Sequence, residues 1–172
     1  MKTSHGFSLV ELLVTVTLVA ILLAVGIPSY RSIATSNRMA GEMNALLGDL
    51  QLARSEAVKQ GTTVTICPTS SPAAPYACSN SGNWSGGWVV FVGGSSATSS
   101  SPMRLQPALG GIDVLQSNST PAVKVVSFNR NGFSTNTGSI TLNDANSTAD
   151  RRRCAVISAA GHISLQSGGT CP

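Results

Sequence analysis

The chain has 172 residues, of which 10% are charged, and carries a net charge of +4 with a pI near 9.2. Charge this sparse excludes a polyelectrolyte that holds nucleic acid along its whole length, and the length suits one soluble domain plus an extended segment. Two histidines, seven carboxylates and no glycine-rich phosphate loop offer no constellation for acid–base, nucleophilic or phosphoryl-transfer chemistry, so the chain reads as a non-enzyme that needs no cofactor.

The first element is an apolar run. From Phe7 to Ile27 there are 21 residues and one charge, Glu11. About 20 apolar residues cross a bilayer core as a helix. A cleaved secretory signal has a shorter apolar region, roughly 7–15 residues, and no acid near its start. A plain membrane anchor gives Glu11 no purpose, and a core helix apolar all round would need protein on every side. A carboxylate in such a helix costs about 2.5 kcal/mol or more on insertion scales, so it needs a partner and a task.

The string Gly6-Phe7-Ser8-Leu9-Val10-Glu11-Leu12-Leu13 resembles the type III signal of type IV pilins and pseudopilins. The resemblance implies that a prepilin peptidase cuts between Gly6 and Phe7 and methylates the new amino terminus. It also implies that Glu11 is the family's glutamate, and that Gly26 and Pro28 are its helix-softening glycine and proline. Physical chemistry supplies a reason for the acid. In lipid, the carboxylate of one subunit can pair with the amine of a neighbour's Phe7, which neutralises two charges that are costly alone and fixes the axial step between subunits.

Pro28 is expected to end or bend the apolar run. Beyond it, Ile33, Met39, Met43, Leu46, Leu47, Leu50, Ala53 and Ala57 recur at threes and fours as one apolar stripe. Arg31, Arg38, Glu42, Asp49, Arg54, Glu56 and Lys59 fall largely outside it. Gly61 is a stop signal. The expected organisation is a leader over residues 1–6, a helix over 7–60 (apolar over 7–27, amphipathic over 28–60) and a β-rich head over 61–172.

After Gly61 the period changes. Residues 62–67 and 88–92 read as strands, the second apolar enough to be buried on both faces. Shorter candidates follow at 104–106, 112–115, 124–128, 139–142, 154–158 and 162–165, separated by turn signals such as Asn131-Gly132 and Ala160-Gly161. Between the first two strands lies a loop with Pro72 and Pro75. A long helix followed by a run of strands makes an α+β architecture, an antiparallel domain packed on the helix. Trp88 is expected in the core and Trp84 over a turn.

Four cysteines, Cys67, Cys78, Cys154 and Cys171, make no Cys-x-x-Cys pair. With one histidine beyond the leader, His162, they do not compose a zinc site. An even count behind an export signal favours disulfides. Three pairings are possible. The local one, Cys67–Cys78 with Cys154–Cys171, is preferred; it closes loops of roughly 12 and 18 residues, each worth about 3 kcal/mol in the chain-entropy model.

The stretches Ala53-Arg54-Ser55-Glu56-Ala57, Val64-Thr65-Ile66-Cys67-Pro68, Gly86-Gly87-Trp88-Val89-Val90-Phe91, Val126-Ser127-Phe128-Asn129-Arg130-Asn131-Gly132 and Ala155-Val156-Ile157-Ser158-Ala159-Ala160-Gly161 are similar to the GspH/FimT family of minor pseudopilins. This resemblance implies an N-terminal helix against a two-sheet β-domain, and a rare subunit at a filament tip or in the complex that starts assembly. It implies other minor and major pilins and the prepilin peptidase as partners. It also implies a single pass of the bacterial inner membrane before assembly, with a periplasmic head, and the pilus or cell surface afterwards. Some family members bind DNA through a C-terminal Gly-Arg-x-Arg pattern; here that place reads Gly161-His162-Ile163-Ser164, without either arginine. Arg130 and the run Arg151-Arg152-Arg153 are the remaining candidates for DNA contact. Against them stands the plainer reading of a loop whose arginines partner Asp144 and Asp150. The reading reached is a minor pilin of a type IV pilus, favoured over a type II secretion pseudopilin by the expected disulfides and long loops. A DNA-binding pilin is the further alternative.

Overall fold

The computed structural model describes residues 7–69, 73–99 and 101–172; Gly6, at the expected cleavage point, and Pro72 lie outside the described residues. The chain divides between Arg38 and Met39 into two units, traversed by one helix, α1 (Leu9–Gln60). The helix opens where the Leu12 N–H donates to the Ser8 carbonyl at 3.1 Å. It closes at Gly61, whose φ of +64° lets the Thr62 N–H turn back to the Ala57 carbonyl at 3.2 Å, a left-handed cap suited to glycine. Pro28 does not end it, contrary to one of the two outcomes expected: α1 is unbroken through Gly26 and Pro28. A proline removes one donor, the one that would meet the Ala24 carbonyl, and the helix continues on both sides of that gap.

In the first unit α1 is long and apolar enough to cross a membrane, and none of its most apolar stretch is buried. Two of its threonine hydroxyls are satisfied within the helix. Thr15 Oγ1 donates to the Leu12 carbonyl and Thr17 Oγ1 to the Val14 carbonyl, each at 2.8 Å. That is the condition lipid imposes on polar groups.

In the second unit the remainder of α1 packs on two sheets. Its fully buried residues are Met39, Met43, Leu46, Leu50, Ala53 and Ala57. Burying a Leu or Met side chain is worth about 1.5–3 kcal/mol. Ile33, expected on this stripe, is exposed and belongs to the first unit. The first sheet takes β1 (Val64–Pro68), β2 (Trp88–Val92), β3 (Arg104–Gln106) and β5 (Val126–Phe128) in the order β3-β2-β1-β5. The second takes β4 (Val114–Gln116), β6 (Gly138–Asn143), β7 (Arg153–Ile157) and β8 (Ile163–Ser167) in the order β4-β6-β7-β8. Every strand pair is antiparallel. Both sheets and the helix stripe share one apolar cluster, which includes Trp84, Trp88, Phe128, Ile140 and Leu142. Trp84 is thus core, not a turn cover; its indole N–H finds the Val123 carbonyl at 3.0 Å.

The outer face of the first sheet is also apolar. Cys67, Val89 and Phe91 are buried there beneath Tyr76, Cys78, Ala97 and Val125. Cys67 is bonded to Cys78, and Tyr76 exchanges backbone hydrogen bonds with Ser99 at 2.8 and 3.0 Å, so two loops form a stapled cap. That is why β1 and β2 read as continuous apolar runs instead of alternating. The second bridge joins Cys154 to Cys171 and holds the last residues against β7.

Asp49, read from the sequence as outside the stripe, is buried within it. Its Oδ2 accepts from the Trp88 indole N–H at 2.8 Å, and its Oδ1 lies 3.3 Å from Arg104 Nε. The helical count explains the placement, since Asp49 follows Leu46 by three and precedes Ala53 by four. Replacing Asp49 with Ala is expected to lower stability by about 2–3 kcal/mol, because it orphans a buried indole donor. Arg104→Gln is expected to cost below about 1 kcal/mol, its side chain being mostly exposed. Urea unfolding of the full chain in detergent checks both; equal losses would contradict the ranking.

Candidate functional site

Phe7 and Glu11 stand at the start of α1, with Glu11 in its first turn. Both are exposed, and among the described residues Glu11 has no cationic partner. A carboxylate there is favoured by the positive end of the helix dipole.

The second unit has a junction where α1 meets two turns. Arg54 Nε donates to the Gly132 carbonyl at 3.0 Å, and Arg54 Nη2 donates to the Ala160 carbonyl at 3.2 Å. The first turn follows β5 and the second joins β7 to β8, so one guanidinium ties the helix to both sheets. The turns must come very close for this. At Gly161 (φ +73°) an added Cβ would lie 1.9 Å from the Gly132 carbonyl oxygen, and at Gly132 (φ +78°) it would lie 3.2 Å from Arg54 Nε. Only glycine meets both demands. Gly87 is a third such position: with φ +98°, its Cβ would sit 2.4 Å from the Gln106 carbonyl oxygen.

The arginine run does not form a loop apart from the sheet. Arg151 ends a short 3-10 turn, Ala149–Arg151, while Arg153 begins β7. Arg151 Nη1 lies 3.5 Å from Asp144 Oδ2. Arg152 Nε donates to Asn143 Oδ1 at 2.8 Å and its Nη1 to the Gly169 carbonyl at 2.9 Å. Arg130 is exposed on the turn after β5; among the described residues no hydrogen bond or ion pair joins it to the run. Arg151 and Arg152 thus hold Asp144, Asn143 and the Gly169 carbonyl within the fold. Burial pushes the Asp144 carboxyl up, and hydrogen bonds from the Thr148 N–H and Oγ1, together with the charge of Arg151, more than offset this and hold it below the ordinary 3.8. His162, expected within a strand, is exposed in the turn just before β8. Among the described residues no group of His, Cys, Asp and Glu could hold a metal ion.

A family model for the type II transport protein GspH matches residues 42–161. The chain belongs to the GspH family. A model of the prokaryotic N-terminal methylation motif matches residues 1–27. Two crystal structures of the type IV minor pilin FimU of Pseudomonas aeruginosa (strain PAO1) share the fold. The first is 24% identical over 83% of this chain and 96% of that chain, with a TM-score of 0.60. The second is 27% identical over 78% and 94%, with a TM-score of 0.55. The comparison with curated proteins gives no match. The GspH family and this fold are structural rather than enzymatic, and the methylation motif implies prepilin peptidase processing and assembly with other pilins.

The sequence marks the stretches around Arg54, Gly87, Gly132 and Gly161 but not that three of them meet. The only local signal was the pair of glycine turns; the Arg54 contact spans residues far apart in the chain. Gly161→Ala is expected to cost about 2–4 kcal/mol, through positive-φ strain and the carbonyl clash. Gly48→Ala, in the helix interior with open space around it, is expected to gain about 0.5–1 kcal/mol. Thermal melts of the full chain in detergent should show shifts of opposite sign. For Asp144 the folded value lies below the unfolded one, so its contribution is present above pH 3.8 and is lost as pH falls through the lowered folded value. Asp144→Asn is expected to flatten stability against pH below that point, measured by urea midpoints across an acid series.

Proposed function

We propose that this GspH-family chain is a minor pilin of a type IV pilus, made as a prepilin and built into the filament or the tip complex that initiates it. The observation that carries this is one chain joining an N-terminal methylation motif to a head with the fold of a type IV minor pilin. Residues 1–6 are the leader, removed by cleavage between Gly6 and Phe7. The apolar part of α1, residues 7–27, holds the protein in the inner membrane and then in the filament. Residues 28–60 carry the helix onto the head, and residues 61–172 form that head, periplasmic first and on the surface after assembly. Glu11 pairs with the methylated amine of a neighbouring subunit's Phe7. Gly26 and Pro28 soften the helix, and the partners are other minor and major pilins.

A second reading, a pseudopilin of type II secretion, is favoured by the description of the matching family model. The two differ in phenotype. Loss of this chain is expected to cut surface pili several-fold and abolish twitching motility while leaving protein secretion intact, with complementation restoring both. Normal piliation with a secretion defect would replace the first reading with the second. Glu11→Ala is expected to be cleaved as usual but to enter filaments poorly. Immunoblots of membranes and of sheared pili check this, and normal incorporation would remove the proposed pairing.

A further inference from the structure

Beside the Arg54 junction the head carries an open groove of about 670 Å³. Val58 and Ile163 line it with apolar surface, and Gly132 lies at its edge. Val58 is 52% exposed, a branched apolar side chain facing out from the last turns of α1. The charged lining is cationic, Arg54 and Lys59, and the neutral polar residues Gln51, Ser55, Asn131 and His162 complete it. Among the described residues no Asp or Glu lines the groove. Lys59 reaches out to Glu56 at 3.2 Å. Arg54 is paired with two carbonyls and with no carboxylate among the described residues. Those carbonyls orient its guanidinium and leave donors over, since a guanidinium has five N–H groups. A pre-oriented guanidinium beside apolar walls suits a carboxylate that arrives with an apolar neighbour.

We propose that this groove docks a carboxylate-bearing apolar segment of a neighbouring pilin of a different kind, Arg54 taking the carboxylate and Val58 with Ile163 taking the apolar side chain. The proposal rests on the minor pilin reading and names the surface through which that role is exercised. A second copy of this chain is a poor occupant. The chain has eleven Lys and Arg against seven Asp and Glu, and Asp49, Asp113 and Asp144 are buried. The head therefore has few exposed carboxylates to offer.

The test uses the full-length chain in its own cells, with the photo-crosslinker p-benzoylphenylalanine at Val58 or, as a control surface, at Ile112, which is 69% exposed before β4. The expected result is an adduct from Val58 to another pilin, mapped by mass spectrometry to a peptide containing Asp or Glu. Lys59→Glu is expected to reduce that adduct five-fold or more while leaving the amount of protein unchanged. Arg54 itself is left intact because it holds the two turns. An adduct to a second copy, an adduct to a peptide without a carboxylate, no Val58 adduct where Ile112 gives one, or indifference to Lys59→Glu would each overturn the proposal. Pilus counts in the deletion strain report on the pilin role separately: pili lost on deletion, with no Val58 adduct, would sink the groove and leave that role standing.

Discussion

The packing of α1 on the first sheet depends on a buried carboxylate. An Asp taken out of water must find donors, and Asp49 finds them on two adjacent strands, the Trp88 indole on β2 and Arg104 on β3. A stripe of Met, Leu and Ala would tolerate sliding along an apolar sheet. An acid with one indole donor within reach has one register. Five residues further along, Arg54 makes the converse contact, a helix donor meeting backbone acceptors on turns from both sheets. At about 100° per residue the two side chains leave the helix roughly 140° apart, which is why one acid and one base can serve different parts of the same head.

The same helix answers to two solvents. Over its first half every side of the cylinder is apolar, and the backbone and the threonine hydroxyls satisfy themselves internally. Glu11 is the exception, the one charged residue between Phe7 and Ile27. Over its second half the apolar residues narrow to a stripe and the polar ones are free to specify contacts. The change from all-round to one-sided apolarity occurs within one unbroken element, so the local sequence decides which solvent each turn prefers without any break in the backbone ladder.

Much of this was legible in the sequence, and the failures have identifiable causes. Gly61 as the helix stop, the β1 and β2 runs, and the two-sheet α+β plan follow from period, turn residues and resemblance. Hydrophobicity alone leaves Asp49 off the stripe, although its spacing from Leu46 and Ala53 puts it there. Ile33 was put on the stripe for the opposite reason: it is apolar at the right spacing, but nothing in its own unit covers it. The strand expected at 112–115 begins two residues later, at Val114, because pairing with Asn143 rather than apolarity sets its start and leaves Ile112 exposed. Arg153 joins β7 because its backbone pairs with Leu142 and Ser167, a long-range constraint that three adjacent charges conceal.

The residues that carry the family resemblance turn out to be packing residues. Arg54, Gly132 and Gly161 form one junction, Gly87 allows β2 to pass close to the end of β3, and Cys67 staples the outer cap. Arg54 also lines the groove beside that junction. Such residues report the fold, and a fold does not by itself choose between a pilus and a secretion filament. That choice must reside where the same scaffold is free to vary: in the capped loops outside the first sheet, in the apolar and cationic lining around Val58, and at the exposed strand edges. In a subunit whose work is to be held by its neighbours, specificity sits on those surfaces. The core is left to keep them in place.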